Sequence, residues 1–240
     1  MSGLEFDAGR HRYVLDGAKV PSVTSILGKV MPKPGLAYWA ARRVAEVALD
    51  DLDGLVSRLE TFGPDETLGW LKRAPWRERD AAAVRGTAVH ALGEQVIRGE
   101  QVEVPAQLAS YVMPYVDLAD ELGIEPINTE VMLANRTLWY SGTADLFATI
   151  DGEVWCLDLK TSKGVHGDYG LQLAAYAKAE ALFIDGDEFP VPEVSRIGVV
   201  HLQSDHAELH EFPLAAAWDA FQVARNMLNT INEIKSWETK

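Results

Sequence analysis

Residues 141–163, SGTADLFATIDGEVWCLDLKTSK, limit what this chain can fold into more tightly than any other stretch. Two apolar-rich runs, 142–150 and 153–159, flank the pair Asp151-Gly152. Asp-Gly between such runs signals a two-residue type I′ turn, because both central residues of that turn need positive φ. The turn fixes the register. Ile150 faces Glu153, and stepping outward brings Asp145 opposite Asp158. Side chains alternate between the faces of a strand. One face of the hairpin therefore carries Asp145, Phe147, Cys156, Asp158 and Lys160. The other carries Ala144, Leu146, Ala148, Ile150, Trp155, Leu157 and Leu159, apolar apart from Glu153 beside the turn. The apolar face is expected to pack on the core, leaving two carboxylates and a lysine on the side away from it. Sheet stability does not ask for this, since like charges directly opposite each other are unfavourable. A carboxylate pair at cross-strand distance is, however, a hard-oxygen site for Mg²⁺ or Mn²⁺, and a cation there turns repulsion into coordination. Lys160 points the same way and can reach a bound phosphate or an attacking water.

The hairpin resembles the core of the PD-(D/E)XK nuclease superfamily, with Asp145 as the first acid and Asp158-Leu159-Lys160 as the D-x-K element. Residues 85–90, RGTAVH, resemble the helix that supplies a metal-binding histidine in the RecB-like branch, and residues 172–176, QLAAY, resemble its Q-x-x-x-Y motif. Each motif is weak alone; four in order across residues 86–176 are specific. The resemblance implies an α/β (α+β) fold, a central mixed β-sheet of restriction-endonuclease-like type flanked by helices, with a helical N-terminal part. It implies a metal-dependent DNA phosphodiesterase of the phage exonuclease type, acting on DNA ends. In it His90, Asp145, Asp158 and the backbone carbonyl of Leu159 would hold Mg²⁺ or Mn²⁺. Lys160 would position or activate water, while Gln172 and Tyr176 would contact the DNA backbone or brace Lys160. DNA is the implied partner, with a single-strand annealing or recombination protein as a second. The alternative is a catalytically silent module that keeps the fold to hold DNA ends or such a partner.

Composition narrows the reading. The single cysteine, Cys156, excludes an internal disulfide and a four-cysteine iron–sulfur cluster, which several RecB-like nucleases carry. A cytoplasmic setting fits, and no apolar run is long enough to span a bilayer. A net charge of −14 argues against a DNA-binding surface spread over the whole chain. The charge is uneven. Seven acids and one base lie between Glu46 and Glu66, whereas Lys72, Arg73, Arg77, Arg79 and Arg85 face two acids, Glu78 and Asp80. This basic segment runs into the stretch bearing His90 and is the expected DNA lip, with Lys163 as a further contact.

The remaining elements follow from punctuation and period. Residues 11–20 form a hairpin around Asp16-Gly17, and Ser22 caps a short helical turn. Helices are expected over 35–50, 52–61 and 65–73, with a break at Gly63-Pro64, and then over 86–98 and 105–123. Trp39 is expected in the core. Glu94, one turn after His90, could orient its ring. Residues 129–134 turn at Asn135-Arg136 into 137–140, which places Glu130 opposite Ser141 and on the carboxylate face, near the metal. A helix follows over 168–183, then a strand over 195–203 with 210–212 as its partner, and a final helix over 213–237. His201, His206 and His210 lack a tight ligand spacing and read as structural or surface residues. One domain is the simplest organisation, with 1–123 mainly helical, 124–212 the catalytic sheet and Q-x-x-x-Y helix, and 213–240 the closing helix.

Overall fold

The computed structural model describes residues 3–237. Its chain divides into two compact units, one made of residues up to Met31 and from Val89 onward, the other of Pro32–Ala88.

The larger unit opens with a three-stranded antiparallel sheet of β1 (Leu4–Asp7), β2 (Arg12–Leu15) and β3 (Ala18–Val20). Helix α1 (Val23–Val30) follows, and the Oγ of its cap residue Ser22 accepts the backbone N–H of Ser25. After the second unit come α5 (Ala106–Leu122), β4 (Glu125–Asn135), β5 (Tyr140–Ile150), β6 (Glu153–Lys160) and α6 (Gly167–Ala177). Strands β7 (Ala181–Ile184), β8 (Asp187–Phe189), β9 (Arg196–Leu202) and β10 (Ala207–Phe212) lead to α7 (Leu214–Trp237). The seven strands from β4 on form one mixed sheet in the order β10-β9-β6-β5-β4-β7-β8, with β6 and β9 its parallel pair and helices flanking it. The fold class is thus α/β with a mixed central sheet. Among the described residues, no helix is long and apolar enough to cross a membrane.

The Asp151-Gly152 corner has φ of 51° and 78°, and the ladder it sets pairs Ile150 with Glu153 and Leu146 with Leu157. The register matches the sequence expectation. The exposure does not. Phe147 and Cys156, on the carboxylate face, are wholly buried in a core built with α1, α6 and α7. The opposite face is covered too: Leu159 lies against Gly93 and Tyr115. A sheet between helix layers has no side away from the core, so Asp158 is 1% exposed.

Two expected boundaries shift. The helix expected over 168–183 ends at Ala177, and residues 181–184 pair antiparallel with β4. A short apolar run such as ALFI does not distinguish buried strand from helix by period. The chain then turns at Asp185-Gly186, with φ of 53° and 91°. The partner of β9 begins at Ala207 rather than 210.

The second unit contains α2 (Gly35–Asp50), α3 (Leu52–Lys72) and the start of α4 (Ala74–Ile97). The expected break at residue 63 is a kink, with φ 75° at Gly63 inside α3. Helix α4 begins twelve residues before the expected start at 86. Pro75 falls in its first turn, where a missing N–H costs nothing. No residue of α2 is fully buried, so Trp39 is only partly covered.

Candidate metal centre

The ladder between β5 and β6 stops at Leu146 and Leu157, and the side chain of Asp145 continues the contact. Its Oδ2 accepts the Leu159 backbone N–H at 2.9 Å. The same oxygen lies 3.3 Å from Nδ1 of His90 on α4. Glu130 comes from β4. Thr129 pairs with Leu146 and Val131 with Ala144, so Glu130 stands opposite Asp145, not opposite Ser141 as the sequence suggested. The loop between β4 and β5 spans 136–139, four residues instead of the expected tight turn, and this moves the register by four. The expected face survives because the shift is even. Glu130 has φ 46°, a left-handed conformation that costs an L-residue about 1–2 kcal/mol. Such strain marks a position held in place by its surroundings. His90, Glu130 and Asp145 each offer one ligand-type atom, all within 4.8 Å of one another. This is one of two histidine–carboxylate groups among the described residues that could hold a metal ion.

Asp158 stands beside this trio with different partners. Lys160 Nζ lies 2.5 Å from its Oδ2, and Gln172 Nε2 donates to its Oδ1 at 3.1 Å. Gln172 Nε2 is also 3.3 Å from the Tyr176 hydroxyl. One helical turn separates these two residues on α6, so both meet the sheet. The Tyr176 ring fits only because residue 142 is glycine: a Cβ there would fall 2.5 Å from the ring. The Lys160 ammonium lies 5.3 Å from the Tyr169 ring centroid, a cation–π distance. Residues singled out in the sequence thus converge here, but Asp158 is bound to Lys160 and Gln172 while Glu130 stands with His90 and Asp145.

Electrostatics reflect the crowding. Burial, then repulsion from Asp145, raises the Asp158 carboxyl to about 7, against the pull of Lys160. Burial, then Asp145, Glu94 and Asp158, raises Glu130 to about 7 as well, although its side chain keeps solvent access. Asp145 is raised by burial; Lys160 and the Leu159 N–H oppose the rise. Burial and Lys160 hold His90 low, while Asp158 and the Leu159 carbonyl work the other way. Burial alone would lower Lys160, but Asp158 and Asp145 outweigh it and keep the amine a cation.

Other expected contributors have partners of their own or stand on the surface. Glu94 accepts from Thr129 at 3.1 Å and pairs with Arg98, rather than orienting His90. Lys163 is exposed on the loop after β6. Lys72, Arg73, Arg77, Arg79 and Arg85 are exposed and belong to the Pro32–Ala88 unit, not to the unit holding the trio. Arg73 donates to the Gly69 carbonyl, Arg77 to that of Trp70, and Arg79 to Asp80. Two pockets escaped the sequence reading. One of about 580 Å³ runs past Arg98, Thr129 and Glu130 to Phe183. The other, about 330 Å³, is lined by Arg10, Arg12, Lys19 and Lys29 together with Ser22 and Tyr13. The Tyr13 hydroxyl lies 2.8 Å from Thr143 Oγ1, two residues before Asp145. The four bases of this pocket come from the β1–β2 turn, β2, β3 and α1.

No family model matches this chain, and no curated protein matches it significantly.

Proposed function

We propose that this chain is a divalent-metal-dependent DNA nuclease of the PD-(D/E)XK type, acting on DNA ends. The observation that carries the reading is the convergence of His90, Glu130 and Asp145, with the Lys160 ammonium held beside them by Asp158. The donor set fits such an ion. Two carboxylates and an imidazole suit Mn²⁺ and Mg²⁺. Three acids that burial and mutual repulsion push toward neutrality are also what a dication relieves. When bound, the ion supplies Lewis acidity toward a phosphoryl oxygen and a lower pKa for its water.

The residues of the chain provide the rest. Lys160 stays protonated between two acids, so it offers positive charge to the oxygens of a phosphate under attack rather than abstracting a proton. Asp158, with Gln172 on its other oxygen, fixes where that charge sits. The basic pocket around Lys19 and Lys29 supports a phosphate-backbone contact on the same unit as the trio, in a chain otherwise carrying −14.

The test is incubation with labelled linear and circular DNA in Mn²⁺, Mg²⁺ or EDTA. Metal-dependent loss of linear DNA alone is expected. Lys160→Gln is expected to lose about 10²–10³-fold in single-turnover rate with DNA binding retained. Binding without turnover in any metal would instead identify a silent end-holding module. Full activity of Lys160→Gln would overturn the assignment of that residue.

A further inference from the structure

Strands β9 and β10 bring a second group together. His201 stands directly opposite Glu208, and His210 follows Glu208 by two residues on the same face. Glu208 Oε1 lies 3.6 Å from His201 Nδ1 and 2.7 Å from His210 Nε2, and Oε2 lies 3.7 Å from His206 Nε2. One ligand-type atom from each of His201, Glu208 and His210 falls within 4.8 Å of the others.

The bland reading is a carboxylate hydrogen-bonded among imidazoles, and two observations tell against it. His201 is 2% exposed, and its Nε2 lies 2.7 Å from the Ser162 carbonyl oxygen. A carbonyl can only accept, so Nε2 carries a proton, and whenever the ring is neutral its Nδ1 lone pair is turned toward Glu208. Two acceptors then face each other across 3.6 Å. Gln203 Nε2 approaches Nδ1 only to a long 3.4 Å. The second observation concerns His210. Its Nε2 is buried and lies 2.7 Å from Glu208 Oε1, on the same carboxylate that His201 faces. Lone pairs converging on one point, with an outer ring N–H anchored on a backbone carbonyl, are the arrangement of metal-ligating histidines.

We propose that His201 Nδ1, Glu208 and His210 Nε2 form a second metal site, specific for a borderline transition ion of the Zn²⁺ class. Two imidazoles and one carboxylate are a ligand set of zinc sites that use three protein ligands and leave the fourth position to water or substrate. Imidazole-rich donors favour Zn²⁺ over Mg²⁺. Glu208 and His210 are partly exposed, which leaves that fourth position to water or to His206. The site has a mechanical role. His201 pairs with Lys160 across the parallel strands, and its anchor Ser162 also receives the Tyr169 hydroxyl at 3.2 Å. An ion on His201 would therefore pin the loop after β6 and the end of the strand that carries Lys160.

This inference stands independently of the nuclease reading, and the experiment keeps the two apart. Asp145→Asn protein, in which the first centre has lost a carboxylate ligand, is titrated with Zn²⁺ by calorimetry and with Co²⁺ by visible absorption. One equivalent is expected to bind, with the intense visible bands of low-coordinate Co²⁺ and slower amide exchange over residues 161–166. Glu208→Gln and His210→Gln, each added to Asp145→Asn, are expected to weaken Zn²⁺ more than about 100-fold, beyond the loss from removing an outer partner. Both positions are partly exposed, so the variants should keep the parental circular dichroism in EDTA. The proposal is overturned if Asp145→Asn protein binds no Zn²⁺, or if either added substitution leaves affinity and Co²⁺ spectrum unchanged. Cleavage of DNA by the parent protein in Mn²⁺, with Zn²⁺ left out, tests the nuclease reading separately from the Zn²⁺ titrations.

Discussion

Asp145 stands close enough to Asp158 and Glu130 to raise both, and that has a measurable consequence without metal. Asp158 and Glu130 titrate near 7 in the folded chain, above their ordinary 3.8 and 4.5. The folded protein thus holds more protons than the unfolded chain from the ordinary carboxylate range up to about 7. Stability in EDTA should fall as pH rises through that window. Asp158 dominates this effect, because solvent screens the exposed Glu130. Asp145→Asn removes the repulsion both acids feel while its amide oxygen can still accept the Leu159 N–H. The expected result is a flatter pH dependence, a higher Tm at pH 8 in EDTA, and absence of the Tm rise expected of the parent in Mn²⁺. A parental pH slope in Asp145→Asn would mean the carboxylates do not interact. His90 and Asp145 were legible as candidate ligands because each sits in a recognisable motif. Glu130 was legible only by parity, and its left-handed φ leaves no trace in the residues around it.

At the scale of elements, the Asp151-Gly152 hairpin was legible to the register, since the turn chemistry dictates the pairing. The strand beside it was not. The β4–β5 connection lacks an Asp-Gly pair, and nothing local reveals that 136–139 all lie in the loop. The β9–β10 hairpin shows what a missed boundary hides. With its second strand starting at 207, His201 falls opposite Glu208 and the cluster becomes visible; with a start at 210 it does not. Packing of α6 on β5 was equally silent, although it rests on one atom. Gly142→Ala should cost about 1–3 kcal/mol through the forced displacement of Tyr176. It should also slow the chemical step by moving Gln172 and Asp158. Chemical denaturation of Gly142→Ala, Tyr176→Ala and the double variant checks this. The alanine at 142 should cost nothing further once the ring is gone. An additive cycle would show that the ring is not what the glycine accommodates.

For the molecule as a whole, charge distribution decides where DNA would lie. The sequence favoured the segment from Lys72 to Arg85 because its bases are contiguous. The fold supplies a rival in Lys19 and Lys29, around a pocket that Arg10 and Arg12, both paired with Asp7, also line. Neutralising Lys19 and Lys29 should flatten the log–log salt dependence of duplex binding by about 0.9 per lost contact. Neutralising Lys72, Arg73, Arg77 and Arg79 should change it by less, because Arg73, Arg77 and Arg79 are committed to neighbours within their own unit. The opposite ranking would restore the original lip. Cys156, finally, makes the chain its own stopwatch. It is the one thiol in the sequence, is fully enclosed between Phe147 and Ile197 on the strands flanking its own, and is kept protonated by burial. A thiol reagent can reach it only after the middle of the sheet comes apart, so labelling times the rarest opening of the whole molecule. Each ion that settles on the native state should lengthen that interval by the factor 1 + [L]/Kd.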